Sequence, residues 1–298
     1  MQIILEPVSP MHGVTPEHSR FVHSPGEYLQ YLVAGNGPRS MVLLHGFAAT
    51  RHTWDDLAPF FPAEEFTLHQ MDLLGHGGSS RQPGGDYSAL HNARIITAYI
   101  RSRRLTDVTL IGHSFGGAVA LLTALDCPDV TRLILIGAPG FPQQIPIFMR
   151  ILGLPLIGPL LMNAVPAEVI ARDALKRAFH RHELITSHLV ERYAAGYRCK
   201  DVPPALSRTV RQMLPDNAAQ LTAGYAGLAI PVLLVWGEHD QIVKPWQGER
   251  LHRDLPDSRL VIIPDCGHNP HEERPPETFT VIRDFLTACA VDNHEDTC

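Results

Sequence analysis

Cysteine is scarce in this chain of 298 residues, and the few cysteines do not form groups. There are five, they are widely spaced, and no two of them form a C-x-x-C pair. A disulfide framework or a zinc site requires grouped cysteines, so neither is expected, and no metal is assigned. Reduced thiols are typical of the cytosol, and we predict a cytoplasmic protein.

Long apolar runs are also missing. Residues 1–20 contain acids, His and Pro but no apolar stretch as long as that of a signal peptide. The most apolar tract, residues 145–165, is interrupted by Arg150 and by several Gly and Pro residues, which would break a membrane-spanning helix. We therefore predict no transmembrane segment and expect this tract to be a buried or pocket-lining element.

Positive charge is neither in excess nor clustered. The chain has 25 Lys and Arg against 31 Asp and Glu, for a formal net charge of −6, and the two signs are interspersed. Without a basic stripe to neutralise phosphates, a nucleic-acid partner is not expected. A content of 45% hydrophobic and 19% charged residues is typical of a globular protein with a sizeable core. The oligomeric state is left open.

Short apolar runs alternate with helix-like segments along most of the chain. This alternation predicts a mainly parallel sheet with helices on both faces, which is an α/β fold. The predicted strands are 28–34, 40–44, 66–71, 108–111, 132–137, 231–236 and 259–263, and the predicted helices between or after them are 87–103, 118–125 and 276–289.

The alternation stops between residues 140 and 228. Helical pieces at 167–179, 184–197 and 204–213 follow one another there, separated by Pro and polar residues. We predict a helical cap, or lid, over residues 140–228. It would be inserted into a core formed by residues 1–139 and 229–298.

A glycine-rich turn follows the predicted strand 108–111. It reads Gly112-His113-Ser114-Phe115-Gly116-Gly117 and leads into a helix-forming segment. This is the context of a G-x-S-x-G nucleophile elbow, where a sharp turn exposes a serine hydroxyl. Gly112 and Gly116 would avoid side-chain clashes in such a turn, so Ser114 is the candidate nucleophile.

A serine nucleophile needs a base, and the base needs an orienting acid. Downstream of the elbow, the strand 231–236 leads into Gly237-Glu238-His239-Asp240, and the strand 259–263 leads to His268. His268 is the candidate base. Either Glu238 or Asp240 could orient it, and the pattern of residues alone leaves both open.

Five motifs in this order resemble the α/β-hydrolase superfamily, specifically its serine esterase-like members with a helical cap. The likeness covers about residues 25 to 288. It rests on 45–47 (His-Gly-Phe), 72–79, 112–117, 236–240 and 267–272. The resemblance implies an α/β-hydrolase fold without metal or organic cofactor. By position it makes Ser114 the nucleophile, His268 the base and Asp240, in preference to Glu238, the acid.

The same resemblance assigns the oxyanion hole. The backbone N–H groups of Phe47 and Phe115 match those that bind the oxyanion in the family. Other candidates are interpreted as structural: the loop 72–79 as a hydrogen-bonded turn, Cys266 as packing, and His239 and His271 as facing solvent. His45, His76 and His113 are expected to shape loops or bind backbone groups.

The predicted activity is acyl transfer on a small-molecule ester substrate, either a carboxylic ester or a lactone with an apolar group. Carbon–carbon bond hydrolysis is an alternative, although hydrolases of that kind typically carry Asn before the serine and Trp shortly after the histidine. This chain has His113 and no such Trp. Perhydrolysis of the haloperoxidase type is a further alternative, as is a receptor that retains the fold without catalysis.

The apolar tract carries a prediction about specificity. Residues 151–162 are all apolar, Gly or Pro. If the tract lies over the sheet, its side chains would form a pocket for an apolar group, and we expect Leu152, Leu156 and Leu160 to bind the substrate. The alternative is that the tract only packs the cap onto the core.

Overall fold

The computed structural model describes residues 17–214 and 218–295. The outer ends of the predicted core, residues 1–16 and 296–298, lie outside the described residues. The described chain builds one eight-stranded sheet in the order β1-β2-β4-β3-β5-β6-β7-β8. The strands are β1 Glu17–Ser24, β2 Glu27–Ala34, β3 Arg39–Leu44, β4 Phe66–Met71, β5 Val108–His113, β6 Val130–Ile136, β7 Val232–Gly237 and β8 Ser258–Ile263.

The sheet is mainly parallel, which confirms the predicted fold class. Strands β3 to β8 pair in parallel, while β2 runs antiparallel to both β1 and β4. The carboxyl ends of β3, β5, β6, β7 and β8 therefore lie along one edge of the sheet. In parallel sheets this edge is where ligands bind.

Side chains on alternate positions of the central strands enter two separate cores. In β5, Leu110 packs into one core and Ile111 into the other. Both faces are apolar because helices cover both, which explains why these strands read as continuous apolar runs. Eleven α-helices are described: α1 Ala89–Ser102, α2 Phe115–Asp126, α3 Ile147–Leu152, α4 Ile157–Ala164, α5 Ala167–Ala178, α6 Ser187–Ala195, α7 Val202–Gln212, α8 Ala218–Ala223, α9 Trp246–Asp254, α10 Pro270–Glu273 and α11 Pro275–Glu295.

Helices α3 to α8 all lie between β6 and β7 and include a hydrophobic cluster of their own, centred on residues such as Leu175, Val190 and Leu206. We call residues 140–228 the insertion. Its division from the core as a cap, at these boundaries, stays a prediction. No described helix is long and apolar enough to span a bilayer.

Several elements differ from the sequence prediction. Strand β1 was not predicted, because its residues Glu17–Ser24 are mostly polar and the strand lies at the edge of the sheet. Helix α9 was also missed. Helix α1 begins at Ala89, two residues later than predicted, because the Ser88 hydroxyl accepts a hydrogen bond from the His91 amide and caps the helix.

Candidate active site

Ser114 lies at the sharp turn between β5 and α2. Its backbone has φ of +49° and ψ of −121°, a strained conformation for a residue with a side chain. A Cβ atom on Gly112 would overlap the carbonyl oxygen of Gly116, and one on Gly116 would overlap the carbonyl oxygens of Leu44 and His45. Only glycines allow this turn to pack against the end of β3, as the motif predicts.

His268 and Asp240 form a buried hydrogen-bonded pair at the ends of β8 and β7. His268 Nδ1 lies 2.7 Å from Asp240 Oδ2. The other carboxylate oxygen, Oδ1, accepts hydrogen bonds from the amides of Ile242 at 2.8 Å and Val243 at 2.9 Å. Both carboxylate oxygens of Asp240 are therefore engaged, and Oδ2 is held facing the imidazole of His268.

Glu238, the competing acid, lies elsewhere. Its side chain is exposed, and its Oε2 atom accepts a hydrogen bond from the Asp265 amide at 3.2 Å. The structure thus places Asp240, and not Glu238, against His268. The pattern of residues alone could not separate the two acids, because both follow the same strand two residues apart, whereas the family resemblance prefers Asp240.

The loop after β3 passes directly beside Ser114. A Cβ atom on Gly46 would lie 2.8 Å from His113 Nδ1 and 3.1 Å from the Ser114 Cβ, so the close approach favours glycine. His45 holds the loop: its Nε2 accepts from the Leu73 amide at 3.0 Å, which leaves the proton on Nδ1 to donate to the Gly46 carbonyl at 2.8 Å. The next residue, Phe47, is one of the two predicted oxyanion donors, and that role stays a prediction.

The loop 72–79 contains a structural network. Asp72 Oδ1 accepts from the Arg51 amide at 2.8 Å, and Oδ2 accepts from the Gly78 amide at 2.9 Å. The Ser79 hydroxyl accepts from the Gln30 amide at 2.9 Å. These bonds fasten the turn to neighbouring strands and match the interpretation of this loop as structural.

His271 corrects a prediction. It was expected to face solvent, but its side chain is completely buried, with Nε2 at 2.8 Å from Thr53 Oγ1. Its ring centroid lies 4.4 Å from that of His113, whose Nε2 donates to the His268 carbonyl at 3.0 Å. Burial lowers the pKa of both His113 and His271 well below its usual value. The rings of His113 and His271 are therefore neutral and buried, and they pack beside the loop that carries the candidate base, His268.

Two further buried histidines, His69 and His76, allow a test of whether burial lowers the pKa of a histidine in this protein. Burial lowers the pKa of His69 to about 4 and that of His76 to about 3. A histidine whose pKa is lower in the folded state stabilises the fold above its unfolded pKa of 6.5 and loses that contribution as the pH falls. We expect the free energy of unfolding to fall by up to about 1.4 kcal/mol per pH unit for each such ring, from pH 6.5 toward pH 4.

His69 is the suitable ring to remove, since it bonds the Tyr99 hydroxyl at 2.7 Å and does not line the cavity that contains Ser114. In denaturant unfolding between about pH 6 and pH 5, His69→Gln should show a slope shallower than wild type by about 1 kcal/mol per pH unit. The exposed His239→Gln serves as control and should keep the wild-type slope. Identical slopes for wild type and His69→Gln would contradict this account.

Two adjacent glutamates that the sequence analysis did not assign connect the insertion to the loop of His268. Glu272 Oε2 accepts from the Tyr193 hydroxyl at 2.6 Å, and its Oε1 accepts from Arg192 at 2.9 Å. Burial raises the pKa of Glu272 to about 6, although Arg192, Tyr193 and Asn269 each act to lower it. The partners come from α6 of the insertion, far away in the chain, so no local pattern could reveal them.

Glu273 makes a second connection. Its Oε1 accepts from the Gly267 amide at 2.8 Å, and its Oε2 accepts from the amides of His180 at 2.9 Å and Arg181 at 3.0 Å. The amide of His268 itself donates to the Ala178 carbonyl at 2.6 Å. The end of α5 and the His268 loop therefore share one set of hydrogen bonds.

Ser114 and His268 line one cavity of about 540 Å³ together with Phe47 and Phe115. The insertion supplies most of its walls, and the walls are predominantly apolar. No Lys or Arg among the described residues lines it. Typical contributors from the insertion are Phe148, Leu152, Met162, Ile170, Leu206 and Leu221.

The structure places the three predicted substrate-binding leucines in different environments. Leu152 lines the cavity, but Leu156 and Leu160 do not: their side chains are 85% and 69% exposed. In α4 the buried residues Gly158 and Met162 are four apart and share a face, whereas Leu160 is rotated about 200° from each of them. The structure therefore does not bring Leu156 and Leu160 to the cavity, because apolar composition does not show which helix face is buried.

Comparison of this chain with known protein sequences and structures agrees with this architecture. A sequence model of the alpha/beta hydrolase family matches residues 41–281. An uncharacterised protein of Mycobacterium tuberculosis is 30% identical over 295 residues, which cover 93% of this chain and 83% of that protein.

A pimeloyl-[acyl-carrier protein] methyl ester esterase of Nitrosomonas europaea is 30% identical over 258 residues, covering 85% of this chain and 96% of the relative. Among solved structures, an alpha/beta hydrolase fold protein from Burkholderia ambifaria superposes with a TM-score of 0.78 at 24% identity. That likeness covers 89% of this chain and 97% of the other and concerns the fold.

Proposed function

Since this chain belongs to the alpha/beta hydrolase family, we propose that it is a serine hydrolase that cleaves a carboxylic ester or lactone with an apolar group. The observation that carries the proposal is the 2.7 Å hydrogen bond between His268 Nδ1 and Asp240 Oδ2, because His268 lines the same cavity as Ser114. A base, its orienting acid and a nucleophile that lines the cavity are the parts that acyl transfer requires.

The reaction proceeds in two halves. His268 Nε2 takes the proton of the Ser114 hydroxyl as Oγ attacks the ester carbonyl, while Asp240 keeps the other ring proton on Nδ1. The N–H groups of Phe47 and Phe115 stabilise the oxyanion, and the alcohol leaves with the proton from His268. Water then attacks the acyl-enzyme by the same route, releasing the acid and restoring Ser114.

The cavity supports an uncharged, apolar substrate. With no Lys or Arg among its described lining residues, the cavity offers no cation to compensate for burying a substrate carboxylate. Each methylene buried there contributes about 0.8 kcal/mol. The ester-cleaving relative from Nitrosomonas supports ester hydrolysis. Carbon–carbon bond hydrolysis and perhydrolysis would use the same three residues, and no contact in the described cavity favours either of them.

Substitution of a wall residue tests the assignment of the substrate. Leu152→Asp should raise KM for an octanoate aryl ester about tenfold more than KM for the acetate ester, because a longer acyl group buries more apolar surface against the cavity walls and loses more when a charge is placed there. Leu160→Asp, on the outer face of α4, is the matched control and should change neither value.

Initial rates on aryl esters from acetate to dodecanoate, followed by lactones, measure both variants against wild type. Thermal unfolding of both variants shows whether either change disturbs the fold. Equal losses on acetate and octanoate would assign Leu152 to packing and not to selection. Absence of turnover on both the aryl esters and the lactones would overturn the proposed function.

A further inference from the structure

The insertion exposes an unusually large set of apolar side chains in one segment. Of the thirteen large apolar side chains that are exposed among the described residues, nine lie between Ile147 and Val169. We call these nine the apolar face: Ile147, Ile151, Leu154, Leu156, Ile157, Leu160, Leu161, Val165 and Val169. An apolar concentration of this kind on a monomer is typical of an interaction surface, since isolated exposed leucines carry no such meaning.

The apolar face is continuous with the cavity. Four of its members, Ile151, Leu161, Val165 and Val169, are exposed and also line the cavity that contains Ser114. The outermost members, Leu156 and Leu160, do not line the cavity. A partner seated on this face would therefore lie at the mouth of the candidate active site.

The insertion that carries the apolar face has a positive formal charge. Residues 140–228 contain ten Lys and Arg against six Asp and Glu, a formal charge of +4 within a chain of −6. No acid occurs from residue 141 to residue 167. Arg150, Arg172 and Lys176 are exposed, and their side chains form no ion pair within the described part of the chain.

We propose that the apolar face docks peripherally onto an anionic phospholipid bilayer. Short helices with exposed apolar residues, flanking Lys and Arg and few acids match what such a surface binds: apolar side chains enter the acyl boundary while cations meet the headgroups. A second copy of this chain fits less well. A twofold contact would bring two segments of charge +4 together and would cover both cavity mouths.

This surface is independent of the proposed chemistry, since docking requires neither Ser114 nor turnover. Its test is co-flotation of the full chain carrying Ser114→Ala, which prevents any lipid hydrolysis, with phosphatidylcholine vesicles with and without phosphatidylglycerol. The chain should float with the mixed vesicles and less with phosphatidylcholine alone. Raising the salt concentration should lower binding to the mixed vesicles, because screening weakens attraction to anionic headgroups.

Variants separate the apolar and electrostatic contributions. Leu156→Ser with Leu160→Ser should lower the partition coefficient about tenfold or more, whereas Val22→Ser, an equally exposed apolar residue in β1, should not change it. Arg150→Gln with Arg172→Gln should lower binding to the mixed vesicles only. Unchanged thermal unfolding shows that each variant is folded.

Three results would overturn the proposal. The first is absence of flotation with the anionic vesicles, and the second is flotation that the double serine variant does not reduce. The third is a dimer in sedimentation velocity that the double serine variant dissociates, which would assign the apolar face to contact between two copies.

Discussion

Ser114→Ala is expected to lower kcat for apolar aryl esters by about 10⁴-fold or more while leaving the fold intact, because the hydroxyl oxygen is the proposed nucleophile. Removing Oγ deletes the covalent step but does not disturb the turn, whose strain lies in the backbone at φ +49°. Steady-state rates, thermal unfolding and mass spectrometry after treatment with a fluorophosphonate measure the three consequences. Wild type should gain one probe adduct on Ser114, and Ser114→Ala should gain none.

Cys266→Ala provides the control, because Cys266 is the other nucleophilic side chain close to His268 in the sequence. It is completely buried, and burial raises the pKa of its thiol, so the reactive thiolate is disfavoured. This variant should keep its rate and its probe adduct. If Ser114→Ala retained more than about a tenth of the wild-type rate, the nucleophile assignment would fail.

Asp240→Asn is expected to lower kcat by about 10⁴-fold, although the substitution changes almost no volume. Asp240 Oδ1 accepts from the amides of Ile242 and Val243, so the oxygen of an asparagine must remain on that side. Its NH₂ group then points at His268 Nδ1 and requires an acceptor there. The ring proton is forced onto Nε2, and His268 can no longer take the proton of Ser114.

The comparison variant is Glu238→Gln, which alters the exposed acid of the same loop. It should change kcat by no more than about twofold, because exposed charges of this kind contribute little. Measured kcat values for the two variants on one aryl ester decide between the acids. A large loss in Glu238→Gln together with a mild loss in Asp240→Asn would exchange their proposed roles.

Local patterns predicted much of the fold and the order of the candidate site. The elbow around Ser114 could be predicted from the sequence, because its glycines are required by contacts within a few residues and with the adjacent strand. Edge strand β1 could not be predicted in this way. It is stabilised by pairing with β2 and not by burial on both faces, so its sequence carries no apolar run. The final placement of Ser114 before a helix also followed from local spacing.

The sequence by itself determined a mainly parallel sheet, its helical insertion as a segment without strands, and the positions of Ser114, Asp240 and His268 after three strands. These features depend on periodicity and on glycine geometry, both of which act over short distances along the chain.

Only the tertiary structure decided that His271 is buried and which leucines of the apolar tract line the cavity. It also places Asp240, the acid that the family resemblance prefers, in contact with His268. It also revealed Glu272 and Glu273 as links between the insertion and the His268 loop. Each of these outcomes depends on contacts between residues that are distant in the chain. Such contacts form only when the sheet and the insertion pack together, and the composition of the sequence therefore does not predict them.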